Sequence, residues 1–542
     1  MTARHFTDVQ KNIKYFSNLS LASSPRQIAI VSVTVDTIVD LIWTVPIAKL
    51  THITTGMYAA RWFTSKGKRF MSLVSWLTTP RSTDHPCIVC GNKQGNKIIL
   101  NALHWHPEHG QLEVARCGGC ESAFTLNARK VITPYPSADV DLQDPNFIYL
   151  IYLYLELNAG LGWKTPLLER LPYHRYKSML EIGCNVGVAL DYCRTVWKID
   201  ALGLEPSAYG IKGAELLDIP IINAYTHEAE ELRNRKFSFI YATEVLEHVT
   251  DPLAFLKEIR SYLEPDGVLL ITTPSSSSIN KLTTPGELYA ILSPGAHYFV
   301  LSQKQLRQLS RQAGFLHSVI ELNGDTIIAY LSDRPITLES ASSTEMRITA
   351  YYDAKITTEV KLDDRVYLGH LINYYISAVK SNTPFDEHGV SQGIDKLFYR
   401  LFNLSFEAPL ELAERVNQQT SLFDFGMTIP YSLAIYLYHR AEYLRGIDAP
   451  TGHYYELAAL LAAKSLQVDF KSQFLNCYFL KQAQRQIQSM PARSRNSSQT
   501  SVQLRKITDT ITATIPELKN PSLNALSKIK RRFKSLLNRW QQ

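Results

Sequence analysis

Between about residue 177 and residue 331, two hydrophobic rhythms take turns. Short apolar runs closed by polar turns ("KSMLEI", "IDALGLE", "FSFIYATE", "GVLLITTP") alternate with segments whose apolar residues recur every three or four positions, as in "VALDYCRTVW" and "DPLAFLKEI". The first rhythm predicts buried strands and the second amphipathic helices, so this stretch should be an α/β layer structure. An aromatic helical run, "NFIYLIYLYLEL", leads into it after the Pro-rich connection "ITPYPSADVDLQDP". From about 345 to 490 the pattern becomes helix after helix, as in "IPYSLAIYLYHRAEYLRG" and "HYYELAALLAAKSL", which predicts an all-helical domain with no fixed repeat period.

The flanks read differently. Residues 1–80 form an apolar, basic-aromatic region. Met1–Ser24 lacks a continuous apolar core, so no secretory leader is expected. Ile28–Ala48 is long enough to raise a membrane span, but Asp36, Asp40 and Pro46 interrupt it, favouring a buried or interfacial segment. In the following "ARWFTSKGKRFMSLVSW", Arg61, Lys66, Lys68 and Arg69 alternate with Trp62, Phe63, Phe70 and Trp76. Residues 491–542 are a polar linker and a final basic amphipathic helix. There Leu523, Leu526, Ile529, Phe533, Leu536, Leu537 and Trp540 share one face, with Lys528, Lys530, Arg531, Arg532, Lys534 and Arg539 outside it. Because these cationic ends are amphipathic, they suggest an anionic membrane surface, which the modest net charge of +7 would not suggest by itself. The expected location is cytoplasmic, peripheral at the inner face of the membrane.

Four of seven cysteines lie in two CxxC pairs, Cys87 and Cys90 in "CIVCG", Cys117 and Cys120 in "CGGC", separated by 26 residues. An odd total with this clustering is no disulfide framework and fits a reducing compartment. It predicts a zinc-ribbon-like module over 85–125, with four thiolates on a structural zinc and no coordination position left for catalysis.

The turn "LEIGCNVGVAL", Leu180–Leu190, stands between a predicted strand and a predicted helix, the context of a nucleotide site. A pyrophosphate reader needs GxGxxG. Here Asn185 stands where the second glycine would be, and the turn keeps only Gly183 and Gly187. Glu181 would repel phosphates and attract an amino group, and Glu205, about 20 residues on, can accept both hydrogen bonds of a ribose diol. A nucleoside carrying an amino acid tail satisfies both. Asn tolerates positive φ, so the turn can form with Asn185.

On these residues the chain resembles the class I S-adenosylmethionine-dependent methyltransferases. "LEIGCNVG" resembles their first motif, "LGLEPS" the second, "FSFIYATEVLEHVTDPLAFLKEI" the fourth strand and its helix, and "LEPDGVLLITTP" the fifth strand. "HYFVLSQKQLRQLSRQAGF" resembles the later helix and "FLHSVIELNGDTIIAYL" a closing hairpin with its turn at Asn323-Gly324, about 155 residues in the family's order. The resemblance implies a Rossmann-like seven-stranded methyltransferase domain over 140–335, preceded by the zinc ribbon and followed by the helical domain. It implies S-adenosylmethionine as cofactor, with Glu181 near the methionine amino group, Gly183 and Gly187 beside the methionine portion and Glu205 on the ribose. Cys184 in the turn and Thr243 at the fourth strand's tip complete the implied cofactor set.

In "TEVLEHV", Glu244, Glu247 and His248 follow that strand, at the end where open α/β sheets bind ligands. If the segment is helical, Glu244 and His248 share a face with Glu247 beside it. His248 is a candidate proton acceptor. The ExxEH spacing also resembles the metal-binding residues of ubiquinone-biosynthesis O-methyltransferases, and a substrate-positioning or structural role is open too. His297 in "GAHYF" is the second catalytic candidate, since the family places this region over the acceptor. A zinc ribbon ahead of this fold resembles, in arrangement, bacterial sugar methyltransferases. The leading expectation is a methyltransferase acting on a sugar, polysaccharide or lipid-linked intermediate, with a small-molecule, glycan or lipid-linked acceptor and a protein partner for the helical domain. Nucleic acid is the lesser alternative, since NPPY-like and catalytic-cysteine signatures are missing; a non-catalytic scaffold is the third.

Overall fold

The structure, a computed structural model, describes residues 73–132, 141–283, 285–340, 344–358, 363–447, 452–468, 482–489 and 499–514. The Ile28–Ala48 segment, the basic-aromatic stretch to Phe70 and the cationic segment 523–542 lie outside the described residues, as does most of the polar linker. Among the described residues, no helix is long and apolar enough to cross a membrane. The chain divides into two compact units, Met1–His370 and Leu371–Gln542.

The first unit contains two sheets. Strands β1 (Val74–Ser82), β2 (Lys97–Leu103), β3 (Gln111–Arg116) and β4 (Ala123–Thr125) form an antiparallel meander around the four cysteines. Next along the chain come β5 (Ser178–Ile182), β6 (Asp200–Leu204), β7 (Ile221–Ile222), β8 (Phe237–Thr243) and β9 (Leu263–Pro274), all parallel. Strand β10 (Phe299–Val300) leaves that sheet's territory and pairs with β4 as the fifth strand of the cysteine sheet. Strands β11 (His317–Asn323) and β12 (Thr326–Ser332) close the larger sheet, whose order is β11-β12-β9-β8-β5-β6-β7, with β12 antiparallel to both neighbours. The α/β layering expected from the alternating pattern, and the seven strands implied by the family resemblance, are therefore observed.

Local chemistry accounts for these elements. All seven residues of β8 are buried, as expected for a central parallel strand covered on both faces. The helix Pro252–Ser261 starts with proline in its first turn, and the Asp251 side chain accepts hydrogen bonds from the Leu253 and Ala254 amides. The β11–β12 hairpin closes one residue later than expected. Asn323 pairs with Thr326, so the turn residues are Gly324 and Asp325, and Gly324 takes the positive φ (65°) that the first position of a type II′ turn requires.

The helix Thr344–Thr357 packs with the first unit. Tyr351 donates to Asp191 at 2.6 Å and the Lys355 ammonium lies 2.9 Å from the same carboxylate. The second unit is helical throughout its described residues, including Glu387–Phe402, Pro409–Asn417, Leu433–Gly446, Gly452–Val468 and Gln499–Ala513. Its interior is rich in aromatic side chains, among them the buried Tyr436 and Tyr455.

Candidate cofactor and acceptor site

Strand β5 runs directly into the glycine turn. Gly183 (φ 68°) and Gly187 (φ 76°) are left-handed, and at each a β-carbon would collide with a side chain: Val245 at 2.6 Å and Ile219 at 2.5 Å, respectively. Asn185 between them is also left-handed, at φ 54°. Its side-chain oxygen accepts from the Val186 amide at 2.7 Å, folding the amide back on the turn. Its own N–H donates to Glu205 Oε2 at 2.9 Å, while Glu205 Oε1 accepts from the Ser207 amide at 3.0 Å. Asn223 donates to the Glu205 and Ser207 carbonyls, at 2.8 and 3.0 Å. Each Glu205 oxygen thus takes one backbone hydrogen bond and has a second lone pair, the capacity needed to accept from two vicinal hydroxyls. Cys184 is buried, with its sulfur 2.8 Å from where a β-carbon on Gly203 would lie, so it packs β5 against β6.

Glu181 points to the opposite face of the sheet from its neighbours Leu180 and Ile182. It is 1% exposed and faces Lys164, itself 4% exposed, across 3.5 Å. Lys164 comes from the helix Leu161–Leu168 and lies 5.9 Å from the centre of the Tyr241 ring. Burial pushes the Glu181 carboxyl up to about 7, against the opposing pull of Lys164. A carboxylate that reads a cationic amino group must be ionised, so affinity for S-adenosylhomocysteine should rise as pH is raised from 5.5 to 7, by up to about tenfold per unit, and then level off. Titration calorimetry across that range checks this. Glu181→Gln should flatten the profile, and an unchanged slope would remove Glu181 from the amino subsite.

The acceptor candidates meet beyond the tips of β8 and β9. Residues 244–248 form a bend and one 3-10 turn, Leu246–His248, and Glu244 has φ 55°, so the face-sharing of an α-helix does not apply. Glu244 instead accepts from the Thr272 hydroxyl at 2.8 Å. Glu247, completely buried, accepts from the Thr273 hydroxyl at 3.0 Å, and its other oxygen lies 3.9 Å from His297 Nε2. The His248 and His297 rings meet edge to face, 4.7 Å between centres. His248 Nδ1 is 3.1 Å from the Ala296 carbonyl and His297 Nδ1 is 3.0 Å from the Ile291 carbonyl. A carbonyl can only accept, so each Nδ1 carries a hydrogen, and in the neutral ring of His248 the Nε2 then carries the lone pair. Burial holds His248 down to about 4, keeping it neutral at pH 7, and pushes the Glu247 carboxyl well above its usual range. One ligand atom each from Glu247, His248 and His297 lies within 4.8 Å of the others, a spacing that can hold a cation.

The cysteines form a second cluster. Cys87 and Cys120 sulfurs are 3.7 Å apart and Cys90 and Cys117 sulfurs 3.6 Å apart, with all four within 4.8 Å of one another. A tetrahedron of sulfurs about 2.3 Å from a zinc ion has edges of about 3.8 Å, so the set fits zinc closely. Asn96 braces both knuckles, donating to the His85 and Asn92 carbonyls and accepting from the Gly118 amide at 3.0 Å.

Residues 161–317 match the family model described as a methyltransferase domain. This stretch is a methyltransferase domain. The chain is 33% identical over 103 residues to the ubiquinone biosynthesis O-methyltransferase of Rhodopseudomonas palustris strain TIE-1, covering 18% of this chain and 39% of that one. It is 31% identical over 132 residues to the enzyme of the same name from Actinobacillus pleuropneumoniae serotype 5b, covering 22% and 53%. Phosphoethanolamine N-methyltransferase 3 of Arabidopsis thaliana is 24% identical over 178 residues, covering 32% and 36%. The chain therefore spans about a third to a half of the length of these curated relatives. A solved methyltransferase from Thermotoga maritima aligns over 35% of this chain and 94% of its own, at 19% identity and TM-score 0.27.

Within the methyltransferase domain, the turn, Glu205 and the tip of β8 with Thr243 share one end of the sheet, and His248 and His297 adjoin each other. Four participants escaped the sequence reading. Lys164 pairs with Glu181 from 17 residues upstream, in the stretch between the aromatic run and the first predicted strand, where no motif was read. Asn223 lies outside every motif, and Thr272 and Thr273 lie in the fifth-strand motif without an assigned role, because their roles come from hydrogen bonds between separate segments.

Proposed function

We propose that this chain methylates a hydroxyl of a sugar, polysaccharide or lipid-linked intermediate, using S-adenosylmethionine. The observation that carries the proposal is the presence, at one end of the sheet, of a carboxylate with a spare lone pair on each oxygen and two imidazoles in edge-to-face contact, each held at Nδ1 by a backbone carbonyl. Bound S-adenosylmethionine supplies an already activated sulfonium methyl group. What remains for the protein is alignment and the fate of one proton. Gly183, Gly187 and Glu205 hold the cofactor, with Glu181 toward its amino group, Cys184 taking part through its backbone in the turn and Thr243 from the tip of β8. His248 takes the acceptor's proton at Nε2, and His297, backed by Glu247, orients the acceptor. With its pKa near 4, His248 is a weak base available throughout pH 6–8, so the acceptor hydroxyl must acidify as its oxygen gains the methyl group.

The O-methyltransferase names of two relatives support oxygen as the methylated atom. The four-cysteine module and the cationic end segments support a glycan or lipid-linked acceptor at an anionic membrane surface, on the cytoplasmic side. The test is transfer of radioactive methyl groups to cell-envelope extracts. His248→Gln and His297→Gln should each lower labelling by about 10²-fold or more; labelling undiminished in both would remove the imidazoles from the chemistry. A second reading, favoured by the spacing of Glu247, His248 and His297, is a divalent cation held by these three. Labelling that depends on added magnesium would select it.

A further inference from the structure

The zinc ribbon and the methyltransferase fold share more than a linker. Strand β10 has only two residues, and strands of that length do not persist without a partner. Its partner is β4, which follows the Cys117–Cys120 knuckle after two residues: Phe299 pairs with Phe124 and Val300 with Ala123. The knuckle reaches further along the same segment. The Ser302 hydroxyl donates to the Cys120 carbonyl at 2.6 Å, and the Ser302 amide donates to the Ser122 hydroxyl at 3.2 Å. The Ser302 hydroxyl also accepts from the Gln305 amide at 3.0 Å, capping the helix Gln303–Gln312. On its other edge the segment is tied to the acceptor cluster, because the Tyr298 amide donates to the Glu247 carbonyl at 3.0 Å.

A second tie runs to the loop after β9. Arg116, the residue before Cys117, donates to the Ser276 and Ile279 carbonyls at 3.1 and 2.7 Å, and the Ser276 hydroxyl donates to the Glu121 carbonyl at 3.0 Å. Cys87, Cys117, Cys120 and Phe124 also belong to the same buried cluster as Leu180, Ile240 and Leu301, so the packing is continuous. Between its cysteines the knuckle has only Gly118 and Gly119, which gain more conformational freedom on release than other residues would. A four-thiolate zinc is what holds such a segment in register.

We propose that zinc at the Cys117–Cys120 knuckle orders the acceptor side of the methyltransferase domain, with Ser302 and Arg116 as the positioning residues that transmit that order to His297 and to the loop after β9. Which side is the acceptor's rests on the methyl-transfer reading above; the dependence of its order on zinc does not.

The experiment is amide hydrogen exchange on the full chain with zinc bound and after stripping by a chelator, with metal content and S-adenosylhomocysteine affinity measured in parallel. Stripping should raise exchange at 276–279 and 297–302 by about tenfold or more, while 180–190 and 237–243 change less than about twofold and affinity holds within about twofold. Ser302→Ala should loosen 297–302 with zinc still bound, and Ser302→Thr, which keeps the hydroxyl, should restore protection. Unchanged exchange at 297–302 after verified zinc loss overturns the proposal, as does an equal rise through the cofactor strands. Ser302→Ala with full protection removes Ser302 from it. An intact protein that shows the exchange pattern but binds no S-adenosylhomocysteine would instead sink the methyl-transfer reading alone.

Discussion

Glu205→Ala is expected to weaken S-adenosylhomocysteine binding by about 10²- to 10⁴-fold. Two charge-assisted hydrogen bonds to a ribose diol contribute about 1.5–3 kcal/mol each, and alanine removes both. The substitution also frees the Asn185 and Ser207 amides, which the carboxylate now holds at 2.9 and 3.0 Å, so the turn loses its tether to the next strand. Glu205→Gln keeps one acceptor oxygen and should retain an intermediate affinity. Calorimetry on the three proteins checks the order, and methyl labelling should follow it. Equal affinity in the alanine variant would remove the ribose role, and a wild-type protein that binds no cofactor would favour a non-catalytic scaffold.

The second large effect reverses the sign that local propensity suggests. Gly213 lies inside the helix Ala208–Leu217, where alanine is ordinarily preferred by about 1 kcal/mol. At this position a β-carbon would meet the Val186 carbonyl oxygen at 2.5 Å, its α-carbon at 2.6 Å and its carbonyl carbon at 2.7 Å. These are backbone atoms of the cofactor turn and cannot rotate aside. Gly213→Ala should therefore destabilise the protein by about 2–3 kcal/mol in chemical unfolding and displace the turn, weakening cofactor binding as well. A stabilised variant with unchanged affinity would mean that the helix does not press on the turn.

Much of the fold was legible along the chain because its signals are local. The buried run Phe237–Thr243, the capped start at Asp251-Pro252 and the left-handed turn at Gly183, Asn185 and Gly187 each depend on a few adjacent residues. The two CxxC pairs were legible for the same reason: thiolate chemistry restricts what such spacing can hold. The candidate site was less so. Glu244, four residues before His248, suggested a shared helical face, but the backbone bends at Glu244 and His297, 49 residues downstream, joins His248 instead.

The sequence by itself determined that an α/β methyltransferase-like pattern follows a four-cysteine module, and that the turn after its first strand lacks the glycines of a pyrophosphate reader. Those properties rest on residue type and near-neighbour spacing. Only the tertiary structure decided that Lys164 faces Glu181, that Gly213 must lack a side chain, and that β10 crosses to the cysteine sheet and bonds Ser302 to Cys120. Such contacts join residues from 17 to 182 positions apart, a distance over which hydrophobic periodicity and turn chemistry are silent, because packing of the finished layers selects the partner.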